Sequence, residues 1–345
     1  MHIQYIIAVS ANVVIQIQDL GKWIYVIKNN QQYLHQNKII LIVVIVIVIG
    51  IGIYVSSGLQ NPLIIKTNDS KMDNAKTNPR TVFWQHIHGL GIDPEHRNIL
   101  YIAAHGDFYQ SVNWSLPVKV DEKRADYMAF NAPYSQRSPL YASGHPATGG
   151  NTGLIKSTDG GKTWQQVATV LDPPVDFHAM SVTKADPNII IGFDSEGRGL
   201  FKTVDAGKNW QTLQFPDYIA SLAISPTDSN VVFAGTGKGI YQSNDGANTW
   251  TKIDQYKGLL IFALTFDENG ILYVSTEPFG LSKSADLGKT WETINTPKFT
   301  TTSIAADSQN NILYIAGYVP DGYQEVYKSS DSGNSWDLIG TNKGL

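Results

Sequence analysis

The sequence predicts an all-β fold, a β-propeller of six blades with seven as the alternative count, preceded by one transmembrane helix. Three observations predict it. One octet recurs five times between residues 157 and 336. Two alternating apolar runs precede each copy, and an uncharged apolar run of bilayer length stands upstream of them all.

The upstream run comes first in the chain. Residues 39–55 read IILIVVIVIVIGIGIYV, and continuing to Leu59 gives the ~20 residues that a helix needs to cross a bilayer. We assign the span to 38–59. The run is longer than the apolar core of a cleavable signal peptide, and an N-terminal segment of 1–37 precedes it, so a retained anchor is expected. Lys22 and Lys28 lie before the span and Lys38 at its very edge, against a single acid, Asp19, which places the N-terminus in the cytoplasm and the rest outside it. The apolar stretches within 1–37 suit an interfacial helix or a mis-set start. Residues 60–80 are polar, rich in Asn and Lys and aperiodic, a flexible stalk.

The octets are STDGGKTW, TVDAGKNW, SNDGANTW, SADLGKTW and SSDSGNSW. Their aspartates, Asp159, Asp205, Asp245, Asp286 and Asp331, are 46, 40, 41 and 45 residues apart, the period of a propeller blade. Each residue type has a mechanical reason. Asp accepts hydrogen bonds from its own turn, Gly permits positive φ, and Trp anchors the hairpin between sheets. The third copy departs, with Ala247 where the others have Gly. These aspartates are expected to hold turns, not to do chemistry.

Within a period the segment from His178 to Leu213 gives four strands: HAMSV, NIIIGF, GLFKT and WQTL. HIHGLGIDP and NILYIAAHG repeat the first two upstream of any octet, with GDFYQSVNW as a degenerate third. One blade thus precedes the five that carry octets, and the propeller is assigned to 81–345.

Composition narrows function. Net charge is −4 and the basic residues form no run, so nucleic acid is not an expected partner. The chain has no cysteine, which excludes thiolate metal sites, thiol catalysis and disulfides.

In a propeller the innermost strand begins, and the second strand ends, at one mouth of the central channel. This sorts the histidines. His86 and His88 begin the inner strand of blade one, and His178 that of blade three. His105 and His145 end second strands, so five of eight histidines aim at one mouth. Aligning blades sets His86 against Asp126 and Asp176, and His88 against Met128 and His178, while Asp194 ends a second strand. The matching positions of blades four to six are Ala220, Phe262 and Thr302, so the polar groups fill half the ring. Neutral imidazoles with a carboxylate suit Zn²⁺, Cu²⁺ or Fe²⁺, and His86 and His88 alternate onto one strand face within reach of one ion. The metal candidates are His86, His88, His105, His145, His178 and Asp176. Hydrogen-bonded channel histidines are the alternative.

The octet resembles the Asp-box, found in sialidases, sortilin-type receptors, xyloglucanases and photosystem assembly factors. HIHGLGIDP, ASGHP and DFHAM, interleaved with these boxes, resemble a family of prokaryotic, membrane-anchored or secreted Asp-box (BNR) propellers classed as glycosyl hydrolases or sialidase-like. The resemblance covers roughly residues 83–215 and implies the propeller and the importance of His86, His88, His145 and His178. A sialidase-like site needs three arginines around its substrate's carboxylate. This chain has Arg80, Arg97, Arg124, Arg137 and Arg198, none of them in its last 147 residues. Sialidase activity is therefore not expected. Hydrolysis with a metal-bound water and Asp176 or Asp126 as base is the enzymatic alternative. The reading is a membrane-tethered, extracytoplasmic propeller binding a divalent metal, Zn or Cu, or a small ligand at a His-rich mouth. A glycoside hydrolase and a protein-docking scaffold, with glycan or protein partners and the aromatics Tyr109, Trp114, Tyr134, Tyr256, Phe279, Tyr318 and Tyr323 near loops, are the alternatives.

Overall fold

The computed structural model describes residues 5–10, 13–17, 80–133, 139–183, 186–215, 217–277 and 279–344. The expected span at 38–59 and the stalk up to residue 79 lie outside them, as does Tyr134. Among the described residues no helix is long and apolar enough to cross a membrane. The chain divides into two units, Met1–Asn74 and Ala75–Leu345. The first holds an antiparallel pair, β1 (Tyr5–Ser10) and β2 (Val13–Ile17). These segments are strand, not the interfacial helix considered above, as their density of Ile and Val favours.

The second unit is a propeller of six four-stranded antiparallel sheets. Blade one is β3 (Ile87–Ile92), β4 (Ile99–Ala104), β5 (Phe108–Val112) and β6 (Val118–Lys119). Blade two is β7 (Ala125–Asn131), β8 (Leu140–Pro146), β9 (Leu154–Ser157) and β10 (Gln165–Ala168). Blade three is β11 (Phe177–Val182), β12 (Ile190–Asp194), β13 (Leu200–Thr203) and β14 (Gln211–Leu213). Blade four is β15 (Ile219–Ile224), β16 (Val232–Thr236), β17 (Gly239–Ser243) and β18 (Thr251–Lys252). Blade five is β19 (Ile261–Phe266), β20 (Leu272–Thr276), β21 (Gly280–Ser284) and β22 (Glu292–Ile294). Blade six is β23 (Thr300–Asp307), β24 (Ile312–Tyr318), β25 (Gln324–Ser329) and β26 (Asp337–Thr341). The count is six, and the seven-bladed alternative is set aside.

The ring closes through the chain ends. Thr81 bridges Thr341 in parallel, Val82 N–H donates to the Thr341 carbonyl at 2.8 Å, and Thr341 N–H donates to the Arg80 carbonyl at 2.9 Å. Buried Trp84 sits beneath this closure.

Apolar layers between neighbouring blades hold the ring. Trp164, from the first octet, packs at 5.3 Å on Phe108 of blade one and at 5.0 Å on Tyr127 of blade two. Asp159 Oδ1 accepts from Ser157 Oγ at 2.8 Å and from the Thr163 N–H at 2.9 Å, while Oδ2 accepts from Thr163 Oγ1 at 2.6 Å. Asp205, Asp245, Asp286 and Asp331 repeat the pattern. Each octet turns on two consecutive left-handed residues, and Ala247 takes the second position in the third copy at φ 74°. In blade one, which lacks the octet, Asn113 and Trp114 form the left-handed pair. Tyr109 and Tyr256 are core residues, whereas Trp114 and Phe279 are exposed.

Candidate metal centre at the channel mouth

Strand register fixes which residues are equivalent around the ring. The inner and second strands pair at Ile87/Ala104, Tyr127/Gly144, Phe177/Asp194, Ile219/Thr236, Ile261/Thr276 and Thr301/Gly317. One residue outward on the inner strand is His86, Asp126, Asp176, Tyr218, Leu260 and Thr300. The facing position on the second strand is His105, His145, Ser195, Gly237, Glu277 and Tyr318.

This register brings side chains of neighbouring blades together. His105 Nδ1 lies 2.7 Å from Asp126 Oδ2, and His145 Nε2 lies 3.3 Å from Asp176 Oδ2. Thr300 Oγ1 donates to Glu277 Oε1 at 3.0 Å, and Tyr318 hydrogen-bonds His86 Nδ1 where the ring closes. Gly144, at φ 122°, admits the close pairing in blade two, because a Cβ there would stand 2.1 Å from the Asp126 carbonyl oxygen.

Two histidines two residues further along the chain complete two sets. His88 Nε2 is 2.9 Å from Asp126 Oδ1, and His178 Nε2 is 2.8 Å from Asp176 Oδ2. His88, His105 and Asp126 form one group whose ligand atoms lie within 4.8 Å of one another, and His145, Asp176 and His178 form the other. Each offers two imidazole nitrogens and a carboxylate, a donor set suited to divalent transition metals that leaves positions open. Donors around an ion at ~2.1 Å stand closer than 4.8 Å, so binding requires them to draw together.

The carboxylates are ionised. Burial pushes both upward, but hydrogen bonds from His105 and His88 hold Asp126 well below the usual range, and those from His145 and His178 do so for Asp176. Asp176 in turn raises His145 to about 9, against the opposing effect of burial. His86 is different. Burial, then the neighbouring His88, lowers it to about 4, so it is neutral at pH 7. Its ring lies 4.6 Å from that of His88, but its Nδ1 is engaged by Tyr318, and it belongs to neither set.

Asp176 is positioned from behind. Ser195 Oγ donates to its Oδ2 at 2.7 Å, and its backbone N–H donates to Asp194 Oδ1 at 2.8 Å. Asp194, which ends the second strand of blade three, is fully buried and clamped by Arg198 through Nε and Nη2 at 2.8 and 2.9 Å. Arg198 also donates to the carbonyls of Pro173 and Pro174, tying down the loop that carries Asp176. The second oxygen of Asp176, Oδ1, is buried with no hydrogen-bond partner.

Five of the six metal candidates therefore fall into the two sets, together with Asp126, which sequence reading offered only as a base. Tyr318, Ser195 and Arg198 were missed as parts of the site. Tyr318 and Ser195 sit at the register position of His105, which is the signal that would have found them.

Fold and site define an all-β, six-bladed propeller with a histidine- and aspartate-lined mouth. The family model for sortilin, neurotensin receptor 3 (Sortilin-Vps10) matches residues 152–277. The chain is similar to a xyloglucanase of Hypocrea jecorina, 27% identical over 247 residues, which are 67% of this chain and 27% of that protein. It spans about a quarter of that relative's length. Among solved structures, the GH74 enzyme of Niastella koreensis superposes with a TM-score of 0.53 at 17% identity, over 75% of this chain and 46% of that one. The GH74 xyloglucanase of Xanthomonas campestris gives 0.51, with the same identity and coverage. At such identity these structures show the fold.

Proposed function

We propose that the propeller binds a divalent transition-metal ion, Zn²⁺, Cu²⁺ or Fe²⁺, at its channel mouth, and that residues 38–59 tether it to a membrane with the mouth outside the cytoplasm. The observation that carries the metal reading is the convergence of His145 and His178 on one oxygen of a buried carboxylate whose other oxygen has no partner. His88, His105 and Asp126 make a second set one blade away. The octets read as Asp-boxes that hold turns and take no part in binding. Metal analysis of the purified protein, with and without His145→Ala plus His178→Ala, tests this. Tightly bound metal that falls in the double variant supports it, and a metal-free native protein that takes up no added ion sinks it.

Glycoside hydrolysis is the second reading, favoured by the similarity to the xyloglucanase over 247 residues. A glycosidase pairs one ionised carboxylate with one kept protonated by a raised pKa. Asp126 and Asp176 are both held low, so neither supplies that acid. Turnover of xyloglucan oligosaccharides that disappears with Asp176→Asn would favour this reading instead.

A further inference from the structure

The ring position that carries His86, Asp126 and Asp176 in three blades carries Tyr218 in blade four and Leu260 in blade five. Both are exposed, Tyr218 at 50% and Leu260 at 42%, and Phe279, two residues beyond the facing Glu277, is exposed at 52%. A single exposed apolar side chain is ordinary on any protein surface. Three on one arc of a rim whose opposite arc is imidazole and carboxylate are not scattered.

Tyr218 lines the same cavity as His86, His88 and His178. Its ring stands edge-on to Phe193 at 5.2 Å, which holds it in place. Two charged groups of this arc are engaged: Lys238 is paired with Asp217 at 3.1 Å, and Glu277 Oε1 accepts from Thr300 Oγ1 at 3.0 Å.

We infer that the mouth binds an amphipathic small molecule, its metal-ligating anionic head at the Asp176 set and its apolar or aromatic body on Tyr218, Leu260 and Phe279. The inference rests on the metal reading, which supplies the anchor for the head. Small-molecule sites characteristically join an apolar wall to a few convergent polar groups, and the two arcs of this rim supply one each. A purely ionic ligand would leave the apolar arc bare, and a purely apolar one would make no use of the ligating groups of the Asp176 set.

The test uses the metal-loaded full-length protein and two probes with the same head, acetohydroxamate and benzohydroxamate, titrated calorimetrically beside a measurement of metal content. The phenyl body should improve binding by about tenfold or more, as burial of a ring-sized apolar surface does. Tyr218→Ser plus Leu260→Ser should reduce that preference to within about twofold, leaving acetohydroxamate affinity and metal content unchanged. Metal-loaded protein with the same preference before and after the double substitution overturns the inference alone. Protein that binds no metal overturns the metal reading and the inference with it.

Discussion

His105 Nδ1 meets Asp126 Oδ2 at 2.7 Å across the seam between blades one and two. His145 and Asp176 meet across the next seam from the same two register positions. Thr300 with Glu277, and His86 with Tyr318, occupy those positions at two further seams. The position thus latches four of the six seams, and two of these latches are built from groups that ligate metals. What separates a latch from a candidate site is the additional histidine, His88 or His178, lining the channel.

Ser195 should matter to metal affinity without touching the metal. Its hydroxyl donates to the oxygen of Asp176 on which both imidazoles converge. Hydrogen bonds to a ligating carboxylate orient it, and their loss costs roughly 10- to 100-fold in affinity. Ser195→Ala should weaken binding at the Asp176 set by about tenfold. Competition with a chromogenic chelator measures this, and an unchanged melting temperature separates it from a folding defect.

Arg198→Ala should destabilise the propeller and loosen the same site. It leaves the buried Asp194 carboxylate without its bidentate partner and frees the Pro173–Pro174 carbonyls. Breaking an enclosed pair costs ~3–5 kcal/mol, but Arg198 is partly solvated and Asp194 keeps the Asp176 N–H, so about 2–3 kcal/mol is expected. Arg198→Lys should recover only part of the loss, because an ammonium cannot make the two-pronged contact. Urea denaturation reads both.

The blades were legible because their signal is repetitive. The octets and alternating runs placed β11 to β14 within a few residues, and blade alignment set His86 against Asp126 and Asp176 as the strand register does. The candidate site was legible only in part. His105 and His145 fall at a recognisable strand end, but their contacts to the next blade depend on how blades pack, which the sequence of one blade does not state. Tyr318 lies 232 residues from His86, and only ring closure brings them together. Arg198 was counted against a sialidase arginine triad, whereas its work is to hold Asp194.

Acid should destabilise the propeller over a defined window. The octet carboxylates Asp205, Asp245, Asp286 and Asp331 are each held at about 2 by hydrogen bonds from their own turns. A carboxyl depressed in the folded state contributes stability that is complete above its unfolded value, ~3.9, and is lost as pH falls toward 2. Melting temperature should therefore drop between about pH 4 and pH 2. Replacing two of these aspartates by Asn should lower stability at neutral pH and flatten the drop. A slope unchanged by the substitutions would place the acid sensitivity elsewhere.

The octet turns differ in how much side chain they tolerate, and the five copies show where. At the first left-handed position Gly160 has natural counterparts in Ala206, Leu287 and Ser332, and a Cβ there would meet nothing nearer than the Tyr101 hydroxyl at 3.4 Å. Gly160→Ala should therefore cost only the conformational penalty, about 1 kcal/mol. At the second position a Cβ on Gly161 would stand 2.2 Å from the ring of Phe108, which is buried and packed on Tyr127, Phe130 and Trp164. Gly161→Ala adds an overpacking cost to the penalty, for a total of about 3 kcal/mol. Ala247 occupies that same second position in the third copy, fully buried, so a methyl is not barred by the turn itself. The difference lies in the neighbour, and Gly161→Ala combined with Phe108→Leu should recover part of the loss. Urea denaturation of the single and double variants would decide the matter, and equal costs for Gly160→Ala and Gly161→Ala would refute the steric argument.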